Sequence, residues 1–365
     1  MNQTATIRIP RADSAWHCCL LLALLLLAAC AGVQPQRDNP APCEMGKGCS
    51  QSMIERAEDF RLGYVQFDDQ GRYSQPGQVE RVMDEIGAAS AQGLILAGFT
   101  HGWKEDAGAD RWSVAAFKTM LAAIAGQERR LAAASGRPPR QVAGVFLGWP
   151  GRIAVLPPFA GLTWFDREDA AERIARGDFG DALLRLKQLR DTTPQAGTNH
   201  QPENQLILAG HSLGATMLYQ RLVKEPLHSP GAVRTPLADL VLLLSPAIPA
   251  TDVAALEQLS AAERATLPPI IAITSENDIT LRLAFPLGQW LKNAGAGAED
   301  AGHSSQAMGL YPPLITHRLE PAGADLSLVE TGRQPADSAV LQITASHVVM
   351  QGHKDIANPR LVDFI

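Results

Sequence analysis

Short apolar runs alternate with amphipathic stretches along most of the chain, beginning near residue 60. Each run has the length of a strand and is rich in Leu, Val or Ile. Helical spacing of apolar residues lies between runs, at Gln78–Ala89 and Trp112–Arg130. Strands that alternate with helices are typical of α/β proteins, in which helices flank a mostly parallel central sheet. The predicted strands are Leu62–Phe67, Leu94–Phe99, Val142–Leu147, Gln205–Ala209, Leu240–Leu244, Ile270–Thr274 and Ala339–Thr344.

Two connections between these strands are much longer than the usual loop. They span Arg152–Pro202, which contains the polar amphipathic stretch Asp166–Arg190, and Thr280–Asp337. Both leave from the end of a predicted strand. Long excursions at strand ends are candidates for a cap over a functional site, so the predicted architecture is a sheet with capping insertions.

Composition limits the class of protein. The chain has 365 residues, of which 46% are hydrophobic, and a formal net charge of −6 at pH 7. This length is enough for one large α/β domain or two small ones with an ample core. The acidic balance and the lack of a basic stripe argue against nucleic acid as a partner.

The first thirty residues have the features of an export signal. Arg8 and Arg11 precede the apolar run Leu20–Ala29, which is too short to span a bilayer comfortably. The run closes as L-A-A-C, which resembles the bacterial lipobox and implies that Cys30 is lipidated after residues 1–29 are removed. The sequence then predicts an exported, membrane-anchored lipoprotein of the periplasm or outer membrane. An ordinary secretory signal with an incidental cysteine is the alternative.

The remaining cysteines lie in a segment rich in Pro and Gly. Residues 30–55 are predicted to form a tether, followed by one α/β domain over residues 56–365. Once residues 1–29 are removed and Cys30 is lipidated, Cys43 and Cys49 are the two cysteines that remain. In an oxidising compartment this pair predicts a small-loop disulfide, with free thiols as the alternative. Two cysteines without a nearby histidine cannot complete a four-ligand metal site.

The sequence G-H-S-L-G at 210–214 lies between the predicted strand Gln205–Ala209 and the predicted helix Ala215–Val223. A serine at the apex of a strand–turn–helix is the arrangement of a nucleophile elbow, which makes Ser212 the candidate nucleophile. The alternative is a Gly/Ser-rich strand-to-helix turn that has no catalytic role. His211 is interpreted as a neighbour that fills space beside the serine.

A serine hydroxyl needs a base, and the base needs an orienting acid. Asp278 follows an apolar strand and is the candidate acid, with Asp252 as its rival and Glu276 as a weaker one. The base is expected in the loop after the last strand, where both His347 and His353 lie. Their spacing does not separate them.

Acyl transfer also needs donors for the developing oxyanion. The backbone N–H that follows the nucleophile, here that of Leu213, is one candidate. The second is expected from the loop after an earlier strand, which reads His101-Gly102-Trp103. Gly102 allows a close backbone approach, and the N–H of Trp103 is the candidate donor.

Together, these motifs resemble the α/β-hydrolase superfamily. The resemblance rests on three segments: F-T-H-G-W-K at 99–104, L-G-W at 147–149 and the serine motif at 210–214. More narrowly, they are similar to a group of uncharacterised microbial esterase-like hydrolases that end in G-H-x-D-I and then D-F. The matching segments here are 352–356 and 363–364.

The resemblance covers residues 62–365 and implies His353 as the base in place of His347. It also implies a hydrolase without metal or cofactor, but it names no substrate. Pro150 stands where the group tends to carry arginine, so the substrate is expected to differ if that arginine shapes the pocket.

The leading hypothesis is a carboxylic-ester hydrolase that uses Ser212, His353 and Asp278 through an acyl-enzyme. Its substrate would be a small-molecule or lipid ester, and its membrane contact the lipid on Cys30. One alternative is an acyltransferase on lipid or cell-wall glycan. The other is a non-catalytic hydrolase-fold lipoprotein that serves as a binding or scaffold module, because a fold does not guarantee an activity.

Overall fold

The apolar runs form the strands of a central sheet in the computed structural model, which describes residues 36–88, 93–153, 163–192, 203–227, 236–293, 306–333 and 339–365. The predicted signal peptide, residues 1–29, and Cys30 lie outside these residues. Within them the strands are β1 Cys43–Glu44, β2 Ile54–Arg56, β3 Phe60–Gln66, β4 Leu94–Thr100, β5 Gln141–Gly148, β6 Gln205–His211, β7 Leu240–Leu244, β8 Ile270–Ser275, β9 His317–Ala322, β10 Asp325–Glu330 and β11 Leu341–Ala345.

The strands are ordered β1-β2-β3-β5-β4-β6-β7-β8-β11-β9-β10 across the sheet. The central strands from β3 to β11 are parallel to their neighbours, whereas β2 runs antiparallel to β3 and β10 antiparallel to β9. An antiparallel β2 followed by this crossed parallel order is the topology of the α/β-hydrolase fold. The predicted fold class is therefore confirmed.

Helices cover both faces of the sheet, because alternate strand residues are apolar on each side. In β4, Leu94 and Leu96 join one core cluster, and Ile95 and Phe99 join the cluster on the opposite face. No helix in the described ranges is long and apolar enough to cross a membrane. The α-helices there are Gln78–Gly87, Trp112–Ala134, Thr163–Arg176, Phe179–Asp191, Leu213–Tyr219, Glu225–Leu227, Ala250–Ala254, Ala261–Arg264, Phe285–Asn293 and Pro359–Phe364, with π-helical turns at Gln220–Lys224 and Thr280–Ala284.

The described part of the predicted tether is folded against the body. β1 and β2 pair within it, and a disulfide joins Cys43 to Cys49, whose Cα atoms are 5.6 Å apart. Arg37 is fully buried, with Nη1 2.7 Å from Oε1 of Glu55 and the guanidinium 3.8 Å from the centre of the Tyr64 ring. This ion pair draws a Pro- and Gly-rich segment into the core, which a prediction from composition does not reveal.

The two long excursions contribute to the body as well as to its rim. The first holds the helices Thr163–Arg176 and Phe179–Asp191, whose apolar faces are buried in one core cluster. The second holds β9 and β10, and β9 pairs in parallel with β11, so this part extends the sheet. The π-helical turn Thr280–Ala284 and the helix Phe285–Asn293, which follow Asp278, are described elements of the second excursion that lie beside the site.

Candidate active site

Ser212 is the sharp turn between β6 and the helix Leu213–Tyr219, with φ 55° and ψ −119°. A non-glycine residue in such a conformation costs on the order of 1–3 kcal/mol, and such strain clusters at functional sites. The flanking glycines are required by space. A Cβ on Gly214 would lie 2.3 Å from the carbonyl oxygen of Thr100, and one on Gly210 2.7 Å from Cα of Ala215.

The hydroxyl of Ser212 is buried but makes no hydrogen bond with any described residue. Leaving a buried hydroxyl unsatisfied costs about 1–3 kcal/mol, and the hydroxyls of Ser245 and Ser346 are also buried without a partner among the described residues. Strained backbone and an unpartnered hydroxyl therefore coincide at the residue that the motif singles out.

His353 and Asp278 form the hydrogen bond expected of a base and its orienting acid. Nδ1 of His353 lies 2.7 Å from Oδ2 of Asp278. The carboxylate can only accept, so Nδ1 carries the proton and Nε2 is left as an acceptor. Asp278 is fully buried, and its Oδ1 accepts the Leu281 backbone N–H at 2.9 Å. Both carboxylate oxygens are thus held, which fixes the orientation of the imidazole.

His211 ties the loop that carries His353 to the elbow. Its Nε2–H donates to the carbonyl oxygen of His353 at 2.8 Å, and the two rings lie 4.7 Å apart between centroids. Burial, followed by the charge of His353, holds the pKa of His211 well below its usual value, so this ring stays neutral. Because His211 precedes Ser212 directly, the bond positions base and nucleophile relative to each other. Sequence reasoning assigned it only a space-filling role.

The rival acids and base are engaged elsewhere. His347 bonds through Nδ1 to Oε1 of Glu276 at 2.7 Å, and its side chain is 62% exposed. Hydrogen bonds from the His347 backbone and side chain, with Arg318, lower the pKa of Glu276. Asp252 pairs with Lys224 at 2.5 Å. The geometry therefore favours His353 and Asp278 over the alternatives.

The loop after β4 passes directly over the serine. A Cβ on Gly102 would lie 2.7 Å from Cβ and 3.2 Å from Oγ of Ser212. Lys104 adopts φ 65°, and its N–H donates to the carbonyl of Gly151 at 2.7 Å, which closes the turn. The backbone of Gly102 therefore lies directly against the Ser212 side chain.

His101 holds this loop in one conformation. Its Nε2 accepts the Trp149 N–H at 3.1 Å, so Nδ1 carries the proton and donates to the Gly102 carbonyl at 3.0 Å. The ring stacks on Phe146 and Trp149, and burial lowers the pKa of His101 to about 4. In a trans peptide the C=O and N–H point in opposite directions. Fixing the Gly102 carbonyl on His101 therefore turns the Trp103 N–H away from the buried ring.

Leu213 begins the helix after the elbow, and the first N–H groups of a helix have no intrahelical partner. Its N–H therefore lies next to Ser212 without an intrahelical partner. Among the described residues no three His, Cys, Asp or Glu side chains gather in the manner of metal ligands.

Aromatic side chains build a wall beside the loop after β4, residues 101–104, which is called the oxyanion loop after its predicted role. The Trp103 indole donates to Oγ1 of Thr163 at 2.9 Å and packs edge-on against Trp164 at 5.3 Å. Gly288 completes this wall, since a Cβ there would lie 3.2 Å from Nε1 of Trp164. Trp149 and Trp164 are almost fully buried and serve the core.

Solved structures of ester-cleaving enzymes are similar to the chain at low identity. Esterase B from Lactobacillus rhamnosis, inhibited by a C4-C4 tributyrin phosphonate, is 13% identical, with 76% of this chain and 80% of that chain covered and a TM-score of 0.26. The phospholipase PlaB from Legionella pneumophila, in complex with thio-NAD, is 13% identical, with 70% and 52% covered and a TM-score of 0.29. The chain matches no protein-family model and no curated protein. The fold assignment rests on the strand order and the elbow.

Proposed function

We propose that this chain is a serine hydrolase of carboxylic esters, exported and anchored through a lipid on Cys30. The observation that carries the activity is the Asp278–His353 hydrogen bond of 2.7 Å, on a loop that His211, the residue before the strained Ser212, ties to the elbow. The three residues follow one another along the chain in the order typical of this fold.

In the proposed reaction, Nε2 of His353 takes the proton of Ser212 as Oγ attacks the acyl carbon of the ester. Asp278 keeps the imidazole oriented and stabilises its positive charge. The backbone N–H groups of Leu213 and Trp103 donate to the oxyanion. His353 then returns the proton to the leaving alcohol, and an acyl-enzyme remains on Ser212.

Water releases the acyl group by the same route in reverse, with His353 as the base. The structure shows no Ser212–His353 hydrogen bond. Catalytic hydrogen bonds are often long in substrate-free enzymes and tighten when substrate binds.

Fluorophosphonate labelling tests the nucleophile. The full chain is expected to be labelled, and Ser212→Ala is expected to abolish labelling. Ser245→Ala is the matched control, because Ser245 is also buried, unpartnered and at positive φ (44°), at the end of the neighbouring strand β7. A label that survives Ser212→Ala and disappears in Ser245→Ala contradicts the assignment. An unlabelled wild-type protein favours the scaffold hypothesis.

Two histidines of one loop offer a second comparison. His353→Asn is expected to lower kcat/KM on a short soluble ester by about 10³-fold or more, because the general base is lost. His347→Asn is expected to change it by less than about twofold, since that side chain is exposed and bonded to Glu276. The reverse ranking contradicts the proposed base.

A further inference from the structure

An apolar stripe lies on the outer face of the helical segment that follows Asp278. Its members are 56–70% exposed and recur at intervals of four, four and three residues, which places them on one side. Single exposed leucines are ordinary, but an aligned set that includes a tryptophan marks an interaction surface. The apolar stripe consists of Ile279, Leu283, Leu287 and Trp290.

The opposite face of the same segment borders the catalytic centre. Leu281 and Phe285 are buried in the core, and the Leu281 N–H bonds to the Asp278 carboxylate. Farther along, Gly288 lies against Trp164, which in turn packs on Trp103 of the oxyanion loop. The segment is therefore a wall of the site, and the apolar stripe is the outside of that wall.

The first described residues of the chain join the body at the edge of the sheet where the parallel strands have their carboxyl ends. The apolar stripe lies at this same edge. The Arg37 backbone N–H donates to Oε1 of Gln66, the last residue of β3, and its Nε donates to the carbonyl of Ala107 in the loop after β4. Five inter-strand spacings, or about 24 Å, separate β3 from β8 in the sheet. Between them lie β4 and β6, which lead into the loop over Ser212 and into the elbow. The Arg37 junction and the apolar stripe therefore flank the elbow.

Chain length limits the distance between the proposed lipid and this edge. Cys30 precedes Arg37 by seven residues, which reach at most about 25 Å even when fully extended. A lipid on Cys30 therefore keeps the carboxyl-end edge of the sheet close to the bilayer. A membrane surface is thus the partner that the apolar stripe meets first.

We propose that the apolar stripe docks the catalytic edge on the membrane, so that the substrates are acyl esters of membrane lipids. Leucine and isoleucine enter the acyl region, while tryptophan prefers the interface between headgroups and chains. Arg282, exposed beside the stripe, suits anionic headgroups. The docking rests on the apolar stripe, the Arg37 junction and the proposed lipid on Cys30, and the substrate class rests in addition on the proposed ester hydrolysis.

Fluorescence quenching tests the docking without relying on activity. The lipidated protein, residues 30–365, is reconstituted in phosphatidylethanolamine–phosphatidylglycerol vesicles with brominated acyl chains. Trp290 is the one exposed tryptophan among the described residues, so bromine is expected to quench the wild type and to have little effect on Trp290→Phe. Absent quenching in the wild type, or equal quenching in both proteins, overturns the docking.

Hydrolysis tests the substrate class. Leu283→Asp with Leu287→Asp is expected to lower hydrolysis of a vesicle-borne acyl ester at least about tenfold and to change hydrolysis of a short soluble ester less than about twofold. Leu184→Asp, at another exposed leucine (44%), is the matched control and is expected to leave both rates unchanged. Equal effects on the two substrates overturn the proposal.

Two further outcomes separate the possible failures. A wild type that cleaves neither ester contradicts the proposed function, and the quenching result still decides the docking. A dimer in detergent that Leu283→Asp dissociates, seen by sedimentation, assigns the apolar stripe to a second copy of this chain and overturns the membrane proposal.

Discussion

At the residue scale, two neutral histidines hold the parts of the site that sequence motifs only outline. His101 donates to the Gly102 carbonyl in the oxyanion loop, and His211 donates to the His353 carbonyl in the loop of the base. Both rings are almost completely buried, and burial lowers the pKa of each, so each keeps one proton and one donor direction. Neutral rings of fixed tautomer are suited to positioning, because each has a single donor direction.

Burial of His101 predicts that stability falls in mild acid. Its pKa is about 4 in the folded protein against an ordinary 6.5, so between these values the unfolded chain binds the proton and the folded chain does not. The contribution is complete above pH 6.5 and is lost as the pH falls towards 4. We expect the free energy of unfolding of the wild type to drop by about 2 kcal/mol more than that of His101→Gln between pH 7.5 and about pH 4.5.

Denaturant unfolding at the two pH values measures this difference. His211 is unchanged in both proteins, so its own acid sensitivity cancels in the comparison. Parallel losses of stability in wild type and His101→Gln would show that the ring is not kept neutral by the fold.

At the element scale, the close approach of the oxyanion loop to the elbow leaves no room for a side chain at Gly102. We expect Gly102→Ala to lower kcat/KM on a soluble ester at least about 100-fold, because its Cβ would meet Cβ of Ser212 at 2.7 Å and displace the donor loop. Gly126 is the control, since it lies in the helix Trp112–Ala134 with only the flexible Arg130 side chain near, at 3.8 Å.

Gly126→Ala is expected to keep its activity and to raise the free energy of unfolding by about 0.5–1 kcal/mol, the ordinary gain for alanine in a helix. Ester hydrolysis and denaturant unfolding of both variants give the comparison. A fully active Gly102→Ala would mean that the loop lies farther from the reacting atoms than the structure places it.

The parallel strands were predictable because both of their faces are buried, which makes them continuous apolar runs. The predicted Leu240–Leu244 agrees with β7, and the predicted Ile270–Thr274 falls one residue short of β8. The hairpin of β9 and β10 was not predicted, since β10 lies at the sheet edge and has no buried residue to set a pattern. The sequence of an edge strand shows a weak hydrophobic pattern, because almost any side chain is tolerated where it is exposed to solvent.

The site was predictable in part for a related reason. The elbow is a local strand–turn–helix, so its signal is contained in a few neighbouring residues. The choice between His347 and His353 is not local, because it depends on which side chain meets Asp278 and which meets Glu276. The positioning role of His211 depends likewise on a carbonyl 142 residues away.

At the scale of the whole molecule, a buried ion pair helps to hold residues 36–56 in the folded body. The Arg37 and Glu55 side chains are 0% and 1% exposed, and Lys118 reaches the second carboxylate oxygen at 2.6 Å. Polar groups as deeply buried as these stay charged only when each has a partner. The pair therefore links the segment before β1 to β2, and through the Ala107 carbonyl to the loop after β4.

Removing one partner of this pair should destabilise the protein strongly. We expect Arg37→Ala to lower the free energy of unfolding by about 3 kcal/mol, the lower end for a broken buried pair, because Lys118 still partly compensates Glu55. Arg72→Ala is the control and should cost at most about 0.5 kcal/mol, since its pair with Asp68 is exposed. Denaturant unfolding of both variants measures the contrast. Small and equal losses would mean that residues before β2 unfold separately from the sheet, and the short link between Cys30 and the catalytic edge would then lose its structural basis.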